Sequence, residues 1–503
     1  PLIPLPVMPG VDTSQHVAIT ALILANQAIP SGYEPFWEIS TFTYHFGFHA
    51  NAAAYSLISG LPPHETLTIL GLVLLSFAPL SVFILAVALS KSKRTAFIAA
   101  ILTGAVSIFP AFYLNWGRLP QLAGVVVAIL ALALLIDYAR SNPTRSMLLA
   151  TGLLVGGLFL IHYRMFLFFL YGTVALLAAR LVETRSPREV WKSFLRIAPI
   201  AVIAFVVTLP WLLTLLGSPL AEQLFMRDPA PAQAYSLSRI EAPLSYPSTS
   251  WLLALSLIGA GLAAVYRRVE LTFLLTWSGL GLLLSNPLFV PGPLSGLLDT
   301  VTWASVMFVV QSILVAFIPV VGMILLKRRW RPPRGLYPAM VGAVVLLGIL
   351  GTGIVSNEGY ETVRSQDLKA FSWIVENVPP EAVFITNMRV DPIIDTVQPV
   401  DAGIWITYFT GRKQLAPPIL YTLERPPFPG YHEQLKQIAD QEERIGSFDT
   451  YVFLSGLGVT HVYLGSTGTG PMNRQDLIAS PWYSVLYQDG DVVIAELKDL
   501  GSL

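Results

Sequence analysis

The chain has 503 residues, 54% of them hydrophobic and only 12% charged, and its 31 basic and 31 acidic side chains leave no formal net charge. Soluble domains carry about 25% charged residues, so this composition excludes an ordinary soluble protein and describes a polytopic membrane protein. The zero balance gives no field for nucleic acid, so no nucleic-acid partner is expected. With no Cys, disulfides, thiol catalysis and cysteine-ligated metals are excluded.

The chain starts Pro-Leu-Ile-Pro with neither Met nor a signal-like run, which predicts a further helix ahead of it. Residues 1–65 contain an amphipathic stretch at 17–29, too short to cross a bilayer. A Pro, Gly and aromatic turn at 30–44 and a second short apolar run at 50–61 follow. Helices of this kind beside a membrane lie in its interface.

A membrane span takes about 20 mostly apolar residues. That ruler finds about ten runs: 66–90, 95–114, 119–138, 146–161, 165–179, 197–216, 251–266, 271–285, 301–326 and 336–355. Lys and Arg cluster on every second connection: Lys91 to Arg94, Arg140 with Arg145, Arg180 to Arg196, Arg267-Arg268 and Lys327 to Arg334. Basic residues are retained in cytoplasmic loops, so these clusters are predicted inside and residues 1–65 outside. From 356 to 503 polar residues return and β-type runs at 382–386, 451–454, 461–464 and 492–496 alternate with helical patterns at 366–377 and 430–444. The predicted organisation is thus a first extracytoplasmic segment 1–65, an α-helical polytopic membrane domain 66–355 and an extracytoplasmic α/β domain 356–503.

The residues able to carry chemistry lie on the side poor in cations. Asp12, in Pro9-Gly10-Val11-Asp12-Thr-Ser-Gln15-His16, has two readings: a helix N-cap with Gln15 completing a capping box, or an acid facing a membrane vestibule. His45 and His49 are spaced to chelate a metal if helical, but no acid lies between them as in the zinc-protease signature, and packing or hydrogen bonding is the favoured role. Asn115-Trp-Gly-Arg118-Leu-Pro-Gln121 is a polar knot whose guanidinium either snorkels or grips a phosphate. His162-Tyr-Arg164 sits at another span end, and the long connection 217–250 carries Glu222, Arg227, Asp228, Arg239 and Glu241. There is no G-x-x-x-x-G-K-[ST] loop and no G-x-S-x-G elbow, and the Gly-rich stretch 465–470 lacks the Lys of a phosphate cradle.

These motifs resemble the GT-C superfamily of polyprenyl-phosphate-sugar-dependent membrane glycosyltransferases, in an uncharacterised bacterial and archaeal branch. The likeness rests on the early Asp12 with His16, Tyr44-x-x-Gly47-Phe48-His49, Asn115 to Gln121, and His162 to Arg164. It implies a multi-pass protein of the plasma membrane that moves a sugar from a polyprenyl-phosphate lipid to a glycan, lipid or protein acceptor on the outer face. By the same likeness Asp12 is the catalytic base or metal ligand. Arg118, with Arg164 or Arg227, receives the leaving phosphate, and His16, His45, His49, Asn115, His162 and Asp228 contact substrate. The second acid common in that superfamily is not adjacent to Asp12, leaving Glu34, Glu38 or Asp228 as substitutes. No complete ligand set is present, so a divalent cation stays open and no cofactor is assigned. The rival expectation is a non-catalytic membrane subunit of an envelope complex. Convergence of Asp12, Arg118 and His49 on one cavity favours the enzyme, and scatter favours the subunit. A transporter ranks third, because the spans hold too few charges for an ion path.

Overall fold

A computed structural model describes residues 5–141, 143–221, 247–287, 289–290, 297–327, scattered positions between 335 and 346, 358–392 and 395–499. Two short helices, α1 (Asp12–Asn26) and α2 (Gly47–Ser59), precede the long α3 (Pro63–Ser90), which begins with Pro at its first turn and stops at Lys91 in the left-handed region. Ser92 accepts from the Thr95 N–H (3.2 Å) to cap α4 (Lys93–Ile101).

The run 95–114, predicted as one span, is broken. After α4 the backbone widens into a π-helical turn, Leu102–Val106, becomes extended at Ser107 and resumes only beyond Pro110 as the short α5 (Phe112–Asn115). Proline cannot donate to the helical ladder and crowds the preceding turn, while Gly104 in the wide turn lies against the Pro79 ring of α3.

The membrane domain continues with α6 (Leu119–Arg140), α7 (Arg145–Ile161), α8 (Tyr163–Thr184), α9 (Pro187–Leu216), α10 (Pro247–Tyr266), α11 (Arg268–Ser285), α12 (Thr300–Val306) and α13 (Phe308–Lys327). Among the described residues five helical stretches are long and apolar enough to cross a membrane: Pro63–Ser90, Leu119–Arg140, Tyr163–Thr184, Pro187–Leu216 and Thr300–Leu325. Two shorter apolar helices, Arg145–Ile161 and Ser250–Tyr266, lie among them, and most of the tenth predicted run, 336–355, falls outside the described residues. The protein is therefore mostly helical and multi-pass, and the count of about ten is not established.

Helix α6 is buried on nearly every side, packed by α3, α7 and α8. Helix α9 packs mainly on α7 and turns Val202, Phe205, Val206 and Leu213 outward. An apolar surface of that extent on a helix meets lipid. Between α8 and α11, fully buried Trp277 stacks on Phe168 at 4.4 Å and donates its Nε1–H to the Phe168 carbonyl (2.9 Å). Two of the basic connections meet at one end of the bundle: Arg140 donates to the Ala88 carbonyl (2.9 Å) and Arg196 to the Ala139 carbonyl (3.1 Å).

The C-terminal domain opens with α14 (Ser365–Asn377), followed by β1 (Val383–Thr386), the antiparallel pair β2 (Met388–Asp391) and β3 (Thr396–Pro399), α15 (Ile406–Thr410) and β4 (Lys413–Gln414). Then come α16 (Tyr431–Glu442), α17 (Phe448–Gly456), β5 (His461–Leu464), α18 (Arg474–Ala479), β6 (Tyr483–Asp489) and β7 (Val492–Leu497). Five strands form one sheet in the order β4-β1-β5-β7-β6, with β1 parallel to β4 and β5 and with β7 antiparallel to β5 and β6. The predicted strand 451–454 is helical, within α17. Ser447 caps that helix through the Thr450 N–H (3.2 Å), and a four-residue apolar run has no period of its own to resist it.

The domain is seated on the first segment. The Gly10 N–H donates to the Tyr360 carbonyl (2.8 Å), His64 Nδ1 hydrogen-bonds the Tyr408 hydroxyl (3.0 Å), and Lys413 pairs with Glu38.

Candidate functional site

Two turns pressed together create the site. Gly10 and Gly117 both have positive φ, +87° and +68°, and neither has room for a side chain. A Cβ on Gly10 would stand 2.3 Å from the Trp116 carbonyl carbon, and one on Gly117 would stand 2.3 Å from Thr13 Oγ1. This close approach of bare backbone brings the start of α1 against the start of α6, so that Asp12 faces Arg118 (Oδ2 to Nε, 3.7 Å). Arg118 also lies over the Trp116 ring, 4.6 Å from its centroid, a cation–π contact that holds the guanidinium flat.

The N-cap reading of Asp12 gives way here. Val11 occupies the cap position without a side-chain hydrogen bond, and Asp12 is the first helical residue, where the positive end of the helix favours a carboxylate. Crowding by protein pushes the Asp12 carboxyl above its ordinary value, and Arg118 and Arg164 offset that only in part.

Arg164 at the start of α8 binds Asp299 (2.6 Å), which also caps α12 by accepting from the Thr302 N–H (2.7 Å) and hydroxyl (3.0 Å). Burial alone would raise the Asp299 carboxyl, but Arg164, Arg118 and the Thr302 hydrogen bonds outweigh it and hold the group below its usual value. Two carboxylates and two guanidinium groups thus share one field, with the acids pushed in opposite directions. Asp299 was missed in the sequence, although Asp-Thr-Val-Thr at 299–302 is a readable helix start. Of the acids weighed as a second carboxylate, Glu38 is spent on Lys413 and Glu34 is exposed.

One turn beyond Asp12, His16 Nδ1 lies 3.1 Å from His49 Nε2. Tyr44 stacks on His16 (6.1 Å between centroids) and packs on His45 (3.9 Å), which contacts His162 (4.5 Å). His45 precedes α2 while His49 lies in it, so the two do not share a helical face as chelation would require. Burial, with neighbouring imidazoles, holds His16 and His45 well below the usual imidazole range, and burial brings His49 down to about 3, so all three are neutral at physiological pH. His45 Nε2 is buried with no hydrogen-bond partner among the described residues. His162 caps α8 at the Met165 N–H (3.4 Å), and Asn115 is buried in α5.

Among the described residues no group of three or more His, Asp or Glu is arranged to hold a metal. Asp12 and Asp299 each face an arginine rather than each other, so the donors as placed do not fit a divalent cation. Arg227 and Asp228 lie outside the described residues.

A buried carboxylate facing the first segment was not foreseen. Glu424 of the C-terminal domain accepts from the Thr43 N–H (2.7 Å), the Thr43 hydroxyl (3.1 Å), the Thr41 hydroxyl (2.8 Å) and the Tyr33 hydroxyl (3.3 Å). Thr43 in turn offers its carbonyl to the Tyr163 hydroxyl (3.0 Å), which accepts from Trp211 Nε1 (2.7 Å). This chain ties the C-terminal domain to α8 and α9 through the residue next to Tyr44. No signal in the sequence marks Glu424, since its partners lie nearly four hundred positions away.

This architecture, a helical membrane domain with a sheet-containing C-terminal domain, is GT-C-like. It is similar to the archaeal oligosaccharyltransferase AglB from Archaeoglobus fulgidus, solved with an inhibitory peptide and a dolichol-phosphate, with a TM-score of 0.63 and 14% identity over 91% of this chain and 66% of that one. ArnT from Cupriavidus metallidurans bound to undecaprenyl phosphate superposes with a TM-score of 0.54 at 11% identity, covering 97% of this chain and 94% of that one. The arabinofuranosyltransferase AftD from Mycobacteria matches with a TM-score of 0.57 at 14% identity, covering 98% of this chain and 38% of that one. The chain thus spans under two thirds of AftD and about two thirds of AglB. At these identities the likeness establishes the fold. No curated protein matches the chain by sequence. The chain belongs to DUF6541, described as a family of unknown function, whose pattern matches residues 6–303.

Proposed function

We propose that this protein is an integral membrane glycosyltransferase that moves a sugar from a polyprenyl-phosphate-linked donor to an acceptor hydroxyl at the outer face of the membrane. The observation that carries the reading is the Asp12, Arg118, Arg164 and Asp299 cluster on a GT-C-like fold. In the proposed reaction the acceptor oxygen attacks the anomeric carbon while its proton passes to the Asp12 carboxylate. The bond from that carbon to the phosphate oxygen breaks, and its electron pair leaves with the polyprenyl phosphate. A carboxyl raised above its ordinary value is, when ionised, a stronger base than a free aspartate. Arg118 and Arg164, already held flat or paired, supply preorganised donors for the departing phosphate. The neutral His16 and His49 pair and Tyr44 stand next to this centre and would orient the sugar.

AglB in complex with a dolichol-phosphate and ArnT bound to undecaprenyl phosphate support a lipid-phosphate donor by analogy of fold. Asp12 lies beside Arg118 and one turn from the His16 and His49 pair, a clustering that supports the enzyme over a non-catalytic subunit, while a cavity of about 580 Å³ in the protein is lined by none of them. The alternation of basic clusters supports a first segment outside the cytoplasm, and its contacts with the C-terminal domain support the same side for both. Because the chain has no native Cys, Asp440→Cys tests this. Labelling by an impermeant thiol reagent in intact cells is the expected result, and labelling only after lysis refutes the topology.

Asp12→Asn tests the chemistry. It keeps the shape and removes the proton acceptor, so transfer from a polyprenyl-phosphate sugar should fall roughly 100-fold or more, with the melting temperature little changed. In the wild type the rate should fall as pH drops through the raised Asp12 value. His16, His45 and His49 contribute no limb at physiological pH, because burial holds each below the usual imidazole range and so neutral there. Full turnover in Asp12→Asn removes Asp12 from the mechanism.

A further inference from the structure

A cavity of about 580 Å³ lies between the C-terminal half of α9, the first segment and the C-terminal domain, beyond the Thr43, Tyr163 and Trp211 chain. Phe42, Phe46, Leu160, Val207, Pro210 and Trp211 make its walls apolar. Of the five hydroxyls on the wall, Ser31 is exposed and four are already committed: Thr41 and Thr43 donate to Glu424 (2.8 and 3.1 Å), Thr214 to the Pro210 carbonyl (3.3 Å) and Ser218 to the Leu215 carbonyl (2.6 Å). Among the described residues the one charged side chain lining the cavity is that of Arg425, which follows the buried Glu424 and is exposed. Its backbone N–H donates to Thr41 Oγ1 (2.9 Å), while its guanidinium makes no ion pair among the described residues.

An apolar cavity with a single uncommitted guanidinium selects an amphiphile with an anionic head. The direction of entry is set by α9, which carries Phe205, Val206, Leu213 and Leu216 outward next to the cavity residues Val207, Pro210 and Thr214, so the occupant comes from the bilayer. Charge narrows its class: a phosphodiester carries one negative charge and matches one arginine, whereas a phosphate monoester carries about −1.5 to −2 at neutral pH and is better matched by two. The sugar-linked polyprenyl donor is itself a phosphodiester, so position separates the two: none of Asp12, Arg118, Arg164 or Asp299 lines the cavity.

We propose that this cavity is a binding site for an anionic phospholipid of the adjacent leaflet, with an acyl chain against Phe42, Phe46 and Trp211 and the phosphodiester on Arg425. The site is independent of the glycosyltransferase reading and separate from Asp12 and Arg118. Its occupancy has a route to them, since the chain packs on Trp211, whose indole holds Tyr163, which holds the carbonyl of Thr43 beside Tyr44. A filled cavity steadies the segment that carries Tyr44 and His45.

The experiment uses the full chain, purified in detergent, delipidated and titrated with phosphatidylglycerol or phosphatidylcholine while bound lipid is counted by native mass spectrometry. Phosphatidylglycerol should bind about tenfold tighter, the difference expected of one charge-assisted contact. Arg425→Gln should erase that preference, and Arg425→Lys should keep part of it. Val207→Trp, which fills the cavity, should weaken both lipids. A preference that survives Arg425→Gln, equal binding of the two lipids by the wild type, or displacement of phosphatidylglycerol by a polyprenyl-phosphate sugar at equal concentration would each overturn the assignment.

Discussion

At one end of the bundle Arg140 donates to the carbonyls of Ala88 and Leu89, and Arg196 to those of Ala139 and Ser141; at the other, Arg118 faces Asp12 and Arg164 binds Asp299. The first pair of cations closes helix ends, where carbonyl groups without intrahelical partners attract positive charge. The second pair meets acids from distant parts of the chain. Cations that finish a helix are satisfied by the fold itself. Cations held against carboxylates in a partly exposed cluster keep donors that a phosphate can recruit. The same residue type therefore serves stability at one end and, in the proposed reaction, transition-state charge at the other.

The comparison breaks first at Arg118. Arg118→Ala removes a charge-assisted contact of roughly 1.5 to 3 kcal/mol, so affinity for a polyprenyl-phosphate donor should fall by about 10- to 100-fold with a small change in melting temperature. Arg118→Lys should rescue only part of it, because a point charge replaces the planar fork that lies on Trp116. Equal donor affinity in wild type and Arg118→Ala would make the two ends alike.

The difference between the ends also explains what could be read in advance. Basic clusters are local in sequence, and their alternation with apolar runs marked one end of the bundle before any geometry was known. Asp12, Arg118, His49 and Arg164 stood out because each lies in a polar motif at the edge of an apolar run. Their partnerships did not. Arg164 meets Asp299 and Thr43 meets Glu424 through tertiary contact alone, and no period or spacing encodes that. The helix predicted over 95–114 is interrupted because hydropathy averages across the widened turn at 102–106, the extended Ser107 and Pro110, whose missing N–H works against resuming the helix there.

Glu424 sharpens the comparison, for it is a carboxylate at the functional end that faces hydroxyls and an N–H with no arginine. Burial pushes its carboxyl above the ordinary glutamate value, and the hydrogen bonds from Thr43, Thr41 and Tyr33 offset that only in part. A raised folded-state value means that its stabilising contribution is full below the unfolded value of about 4.3 and is lost as pH rises through the folded value. Thermal melts of wild type against Glu424→Gln from pH 4 upward should therefore show the wild-type advantage shrinking with pH. At neutral pH the substitution should still cost about 1 to 3 kcal/mol, because an amide N–H₂ confronts donors that need an acceptor. A pH-independent difference would mean that Glu424 holds Thr43 without titrating.

The smallest effect belongs to the other end. Arg140 contributes a cation at the last turn of its own helix and a donor to the last carbonyls of α3, two interactions of about 0.3 to 1 kcal/mol each at most in such partly exposed positions. Arg140→Gln retains a donor and loses the charge, so the melting temperature should fall slightly while donor affinity and turnover stay at wild-type values. The control matters because Arg118→Ala and Arg140→Gln both delete one positive charge from a protein whose formal balance is zero. If donor affinity responded equally to both, the effect would be one of overall charge. If it responds only to Arg118, the affinity resides in the cluster that Gly10 and Gly117 bring together.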